Sequence, residues 1–487
     1  MKRIILVIAL TTFYLSVFAQ KAEVSKINAN ELTKTVKYLS SKRFMGRLPG
    51  TPYYVHAARY VATRFKSAGL KPLLGKNMLQ EFTDEVNIIL DAQVYILDEN
   101  NRPIYPMRLG KDFICRGFSG AGEIRGEVVF AGFGIKTDEY NDYRSISVKD
   151  KIVAVFKSAP PWKPSSGNWG DWSPRAKARV AQELGAKGII FIGEPNGMPK
   201  TMIYGSIACG SKPHLYKFPM IQAGERLTDS LFSKLPYSPK EYYEMLKRDK
   251  APHSIETGKS VYMRVVADYQ EFRKTYNVVG YIEGSDPKLK NEYIILGAHL
   301  DHVGYQGNHV YFPGANDNAS GVAGIIAIAE ALKESPKKPR RSIVFVAFSS
   351  EESGLKGSTY FVNHLPFSTD NVIAMLNFDC IGSGDSIAIG GGKTYKRLWR
   401  KAMRLDKRNT KLLTKKTFGG GGADAQPFHE KGIPTLYFYA KNGYQHLHQA
   451  TDTQETLNPL VFEKTVRLGF LTTKYLAKGR YRKERAK

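Results

Sequence analysis

One stretch of this chain holds side chains able to do chemistry in a fixed frame. Residues 293–317 read YIILGAHLDHVGYQGNHVYFPGAND. The apolar run 294–298 predicts a buried strand. Residues two apart on a strand share a face, so His299 and Asp301 project together from its carboxyl end. A loop then leads to Asp317 and Asn318 and into the helix-like run 320–332. Imidazole and carboxylate are ligands for zinc and similar divalent ions. Further groups of these kinds follow apolar runs in the same way. Glu351 and Glu352 come after the run ending at Phe348, Asp379 ends the run 372–378, and His448 lies in the loop beyond Tyr439.

His299, Asp317, Glu352, Asp379 and His448 form a five-ligand set. That is one ligand too many for a single tetrahedral zinc with an open position. The set suits two metals about 3.5–4 Å apart that share one carboxylate, and Asp317 is the natural bridge. Asp301 is placed to hold the imidazole of His299. Singly, each signal is weak. His-x-Asp is frequent by chance, and Glu-Glu is usually a solvated pair. What they have in common is their place behind apolar runs, where an uncompensated charge is expensive and coordination offsets the cost.

The elements that must position these groups alternate between strand and helix after residue 268. Strands are expected at 277–282, 293–298, 341–348, 372–379 and 435–440. Helices are expected at 320–333, 354–362, 395–405 and 457–475. This pattern implies an α/β fold, a mixed central sheet with helices on both faces, whose site lies at the carboxyl ends of strands. Residues 20–90 begin with helical patterning at 31–42 and 53–68, the second opened by Thr51-Pro52 and stopped by Gly69. Residues 91–267 read as a β-rich insert with strands near 92–97, 126–131, 151–156 and 188–192, and one helix at 174–184. The insert has no cluster of His, Asp and Glu at metal spacing. Its loop 160–174 holds Trp162, Trp169 and Trp172; such indoles either bind something or pin the loop to its own module. The domain reading is therefore a leader at 1–19, an amino-terminal helical part at 20–90, the insert at 91–267, a catalytic unit at 268–478 and a basic tail at 479–487.

Composition narrows the classes. Hydrophobic residues at 42% with 24% charged are ordinary for a chain that buries a real core. The net charge of +27 reads first as a solubilising surface with a basic tail; the competing reading is attraction to anionic material such as a lipid surface, a cell-envelope polymer or acidic peptides. No nucleic-acid-binding motif is found, and no single basic stripe dominates the sequence. The densest run, from Lys474 on, is expected to be a solvated end. Lys2 and Arg3 followed by the apolar run 4–18 read as an export signal, cleaved before Gln20, which predicts a periplasmic or extracellular protein. No other segment is apolar enough to span a bilayer. Three cysteines do not make a disulfide framework, although Cys115 and Cys209 are candidates for one bridge, with Cys380 buried beside Asp379.

The segments AHLDH, PGANDNASGVA, FVAFSSEESGLKGS, LNFDCIG and QHLHQATDT resemble the di-zinc aminopeptidase family of bacterial leucyl aminopeptidase and aminopeptidase Y type, over about 277–475. The β-rich insert resembles a protease-associated (PA) domain. The resemblance implies two zinc ions, other divalent metals being open, and peptide substrates. It implies that His299 and Asp379 hold one ion, that Glu352 and His448 hold the other, and that Asp317 bridges them, with a cis peptide to Asn318. Glu351 would be the general base and Asp301 would orient His299. The sequence departs from the family at Leu447, where a tyrosine is usual, leaving Tyr437, Tyr439, Tyr444 or His446 to supply the oxyanion donor. It departs again at Ala423-Asp424-Ala425, where Ser-Asp-His is usual before Pro-Phe. The run 419–422 lacks the ending of a phosphate loop and is read as a pocket loop. Competing readings are a carboxypeptidase or dipeptidase on the same scaffold, a one-zinc glutaminyl cyclase, and a non-catalytic binding ectodomain. The sequence does not fix oligomeric state.

Overall fold

The computed structural model describes residues 27–193, 204–210 and 213–486. The expected leader at 1–19 lies outside the described residues. The fold is mixed α/β, built on one long sheet. At one end, Ser386–Gly390 is the edge strand. It runs antiparallel to Thr435–Lys441, which is followed by the parallel strands Val372–Phe378, Tyr293–His299 and Ser342–Phe348. The register sets His299 beside Phe348 and Phe378 beside Phe438, so the carboxyl ends of these strands share one rim.

These central strands are buried on both faces, as parallel strands flanked by crossover helices must be. Ile294, Leu296, Phe345 and Leu376 face the helices Ala29–Leu39, Ser320–Lys333 and Pro459–Ala477. Ile295, Val344, Val346 and Met375 face Phe361 and Phe428 on the other side. The amino-terminal helix Pro52–Ser67 starts as expected, with the Thr51 hydroxyl accepting from the Tyr54 amide and proline in the first turn.

Two strands are much longer than their local patterning suggested. Leu79–Leu97 pairs antiparallel with Ile255–Ile282 over nearly its whole length. Together they form a ribbon that continues the catalytic sheet into the insert. The boundaries at 91 and 267 therefore fall inside paired strands. Beyond the ribbon, Gly122–Phe130 leads to three parallel strands, Ile152–Phe156, Gly188–Ile192 and Met220–Ala223. Their alternate residues form two further cores, one on each face. The expectation of a single helix here is corrected. Glu225–Phe232 and Pro239–Asp249 join Pro174–Glu183, the second closed by a Ser238–Glu241 capping box.

Three smaller expectations also meet the structure. Cys115 and Cys209 are free thiols, not a bridge. Cys115 is buried in the insert core, while Cys209 sits in a loop where its carbonyl accepts from Arg175. Trp162 and Trp169 pin their loop, packing edge-on to each other and to Tyr140, whereas Trp172 is 43% exposed. The basic end is not free in solvent: Tyr481 and Glu484 are buried, and the Arg341 guanidinium donates to the Tyr481 carbonyl. No helix among the described residues is long and apolar enough to cross a membrane.

Candidate metal centre

The strand rim brings all five expected ligands together. His299 ends its strand with 1% exposure. Its Nε2 lies 3.1 Å from Asp317 Oδ1 and 3.4 Å from Asp379 Oδ1. On the opposite side of the same carboxylate, His448 Nε2 lies 3.2 Å from Asp317 Oδ2 and 2.8 Å from Glu352 Oε2. Asp317 thus turns one oxygen to each imidazole–carboxylate pair. It stands in a buried turn before the helix Ser320–Lys333, and its peptide to Asn318 is cis. His299, Asp317 and Glu352 offer atoms that all lie within 4.8 Å of one another, and so do His299, Glu351 and Asp379.

The site crowds carboxylates together away from water. Asp301, Asp317, Asp379, Asp424 and Asp452 are all buried beside the two glutamates. Burial pushes the carboxyls of Asp301, Asp424 and Asp452 up to about 7. Burial, with Glu352, Asp424 and Asp379 nearby, also raises Glu351 well above the usual carboxylate range despite His299. Against its own desolvation, Asp317 is held well below that range by His299 and His448. Glu352 is likewise drawn down to about 2 by His448 and His302. Both histidine ligands are raised well above their ordinary value: burial acts downward, but the surrounding carboxylates outweigh it. One oxygen of Asp379 and both oxygens of Asp424 lack a hydrogen-bond partner. Mutually facing buried carboxylates with orphan oxygens and two imidazoles make a donor set that fits divalent cations.

Asp301 acts differently from the expectation. Its carboxylate is 3.7 Å from His299 Nδ1, and the closer partner of that nitrogen is the Asp301 backbone carbonyl at 3.1 Å. The carboxylate instead accepts the amides of Glu351 and Glu352 at 3.2 and 3.3 Å. Asp301 therefore fixes the turn that presents both glutamates, while its main chain orients the imidazole.

Several residues of the site escaped sequence reasoning. His302, fully buried, meets Glu352 Oε1 through Nδ1 at 2.9 Å. Asp452 accepts the amides of Asn316 and Asp317 at 2.9 and 3.0 Å. Both stand inside the AHLDH and QATDT segments, so position in a dense motif was the available signal. Asp84, on the ribbon, takes the Ser353 hydroxyl and the Lys356 ammonium. Arg47 had no signal beyond a turn. Its buried guanidinium donates to the carbonyls of Leu39, Leu300, Pro313 and Gly314, bracketing the strand end and the Asp317 turn. Burial lowers it to about 10. Gly46 beside it has a φ of +67°, and an added Cβ would lie 2.2 Å from the Gly304 carbonyl oxygen, so only glycine allows this approach.

Of the four candidates for the donor that Leu447 lacks, Tyr439 stacks on the Tyr437 ring. Tyr437 donates to Asp379 Oδ2 at 3.0 Å, and its hydroxyl is 3.2 Å from that of Tyr444. His446 faces Thr451 instead. The insert also reaches the site: the Gly205 amide donates to the His448 carbonyl at 2.8 Å.

Residues 277–470 match the profile of Peptidase family M28. A glutamate carboxypeptidase 2 homolog of Caenorhabditis elegans is 26% identical over 67% of this chain and 49% of its own length. A probable leucine aminopeptidase 2 of Aspergillus oryzae is 41% identical over 23% of this chain and 21% of its own length. The chain spans about half the length, or less, of these curated relatives. Among solved structures, an aminopeptidase from an Aneurinibacillus strain aligns with TM-score 0.64 at 21% identity, covering 93% of this chain and 95% of its own. A Shewanella amazonensis Peptidase M28 precursor aligns with TM-score 0.70 at 19% identity, covering 96% and 99%. A zinc aminopeptidase of Bacillus subtilis aligns with TM-score 0.62 at 18% identity, covering 92% and 95%. These structures share the fold.

Proposed function

We propose, from the match of residues 277–470 to the profile of Peptidase family M28, that this chain is a zinc-dependent aminopeptidase removing amino-terminal residues from peptides. The observation that carries this reading is the split presentation of Asp317, with one oxygen toward the His299–Asp379 pair and the other toward Glu352–His448. On this reading each pair holds one ion and Asp317 holds both. Two ions so placed would supply Lewis acidity to the scissile carbonyl and a water of pKa about 7.

The chain's own residues do the rest. Glu351, which brings a carboxylate oxygen close to His299 and Asp379, takes the water proton and returns it to the leaving amine. Asp301 holds the Glu351 amide, and His302 holds the far oxygen of Glu352. Tyr437 spends its proton on Asp379, so the Tyr444 hydroxyl is the donor between the two phenols; turned from Tyr437 to the substrate, that one proton can meet the developing oxyanion. A free α-amine on the substrate has buried carboxylates to meet.

The test is hydrolysis of aminoacyl anilides and their amino-blocked counterparts, with and without chelator, alongside metal analysis. Cleavage of the free-amine series, loss with chelator and two zinc ions per chain are expected. Cleavage of blocked substrates alone would overturn the assignment. The resemblance to the nematode carboxypeptidase homolog favours one second reading, removal of carboxy-terminal residues, which blocked dipeptides with a free carboxylate would report. Export is part of the proposal, supported by Lys2, Arg3 and the apolar run 4–18. An amino terminus at Gln20 on protein recovered outside the cytoplasm would bear it out. We also assign 91–267 to a protease-associated module, supported by its separate two-sided core.

A further inference from the structure

The helix Lys396–Arg408 carries seven Lys or Arg among its 13 residues and a single acid, Asp406. Asp406 is buried and accepts from the Thr410 hydroxyl and the amides of Leu412 and Leu413. Arg400, Arg404, Lys407 and Arg408 recur at helical spacing, are exposed, and have no ion pair among the described residues. The chain end folds against the same helix. The Glu484 carboxylate caps it by accepting the amides of Arg397 and Leu398 at 3.1 and 3.2 Å. Lys401 lies over the Tyr475 ring at 4.1 Å, and Arg397 over Tyr481 at 5.7 Å. Two basic runs 66 or more residues apart in sequence thus become one field. Burial and the nearby cations Arg404, Arg408, Lys478 and Arg480 hold the Lys401 ammonium below its ordinary value.

We infer that this face, formed by the Lys396–Arg408 helix and the folded chain end, docks the protein electrostatically on an anionic lipid surface. The only acids of residues 396–408 and 474–486, Asp406 and Glu484, are buried inward; Arg397 faces Glu484 and Lys483 faces Asp370, which leaves Arg400, Arg404, Lys407 and Arg408 as the exposed cations that carry the face. None of the exposed large hydrophobic side chains lies in these two stretches, which points to adsorption on a surface by charge alone. The aromatic residues here are covered or packed inward, so no stacking platform is offered to nucleic-acid bases. The face is separate from the metal centre, and the inference does not depend on the reaction proposed above.

Sedimentation of the full chain with phosphatidylcholine vesicles, with and without phosphatidylglycerol, tests it. Binding is expected only to the anionic vesicles, with release as salt shortens the Debye length. Each surface cation contributes about fivefold, so the combined variant Arg400→Glu, Arg404→Glu, Lys407→Glu and Arg408→Glu should bind more than ~100-fold more weakly. A charge-matched control, Lys234→Glu, Lys240→Glu, Lys247→Glu and Arg248→Glu in the insert, changes net charge equally but away from this face, where salt screens it, and should keep binding within about tenfold. Circular dichroism and the thermal melt of each variant report folding of both. No binding by the wild type at low salt would overturn the inference. So would an equal loss in the control, which would make net charge the cause, or retention of soluble heparin or DNA without vesicle binding.

Discussion

In the insert, buried charge is closed by the main chain. Asp142 accepts the amides of Phe133 and Ile135 and the Tyr140 hydroxyl, and the Lys177 ammonium donates to the carbonyls of Phe156, Lys157 and Ser158. At the catalytic end of the same sheet, carboxylates face each other and leave Asp379 and Asp424 oxygens without partners. Both regions are buried mixed sheets flanked by helices, and both gather polar groups at strand ends. The difference lies in who completes the shell: backbone in one case, a cation from outside in the other. A sheet end reads as a candidate site when its charges are left for something else to satisfy.

That contrast can be broken by five tests. Replacing the shared carboxylate should have the largest effect. Asp317→Asn is expected to drop bound zinc below one per chain and activity by at least ~1,000-fold, read by metal analysis and turnover. Near-normal zinc in this variant would remove the bridging role. Glu351→Gln should lower kcat by ~100–10,000-fold with zinc content unchanged. Loss of metal along with activity would make Glu351 a ligand, consistent with its place near His299 and Asp379.

The two buried cations sharpen the comparison further. Arg47→Met leaves four carbonyls bare and should cost about 3 kcal/mol or more of stability. It should also lower activity, because Leu300 and Gly314 adjoin the ligands. Lys177→Met should cost about 2–3 kcal/mol with kcat/KM nearly unchanged. Equal activity losses from the two would mean the insert and the site are one mechanical unit.

Asp142 supplies a pH test. Burial raises it to about 7, above an unfolded value of about 3.9. Between those values the folded chain holds the proton that the unfolded chain has released. Stability contributed at this position is therefore lost as pH rises through about 4 to 7, by at most about 4 kcal/mol. Asp142→Asn should flatten that slope in thermal melts, and an unchanged slope would assign it elsewhere. Smallest of all, Trp172→Ala should shift stability by no more than about 0.5 kcal/mol. Trp169→Ala, which loses a packed ring and the bond from its indole N–H to the Trp162 carbonyl, should cost about 3 kcal/mol.

Much of the catalytic end was legible because its strands are short, doubly buried and end directly in polar residues. The run Ile294–Ala298 marks a strand by composition alone, and His299 follows at once. The ribbon was not legible. Leu79–Leu97 and Ile255–Ile282 are held along most of their length by each other, and solvent reaches parts of both faces, so polar residues such as Asp84, Glu85 and Lys274 interrupt any apolar pattern. The helices Glu225–Phe232 and Pro239–Asp249 were missed because they are short and their buried residues are few.

By itself the sequence determined which side chains are available to bind metal and which strands carry them, since alternation and apolar runs are local properties. It also determined the excess of positive charge. Only the tertiary structure decided which carboxylate oxygen faces which imidazole, that Arg47 closes the carbonyls around the site, and that two distant basic runs merge into one face. Those outcomes depend on the positions of groups tens to hundreds of residues apart, and distance in space, not order in the chain, sets the strength of a hydrogen bond or a Coulomb interaction.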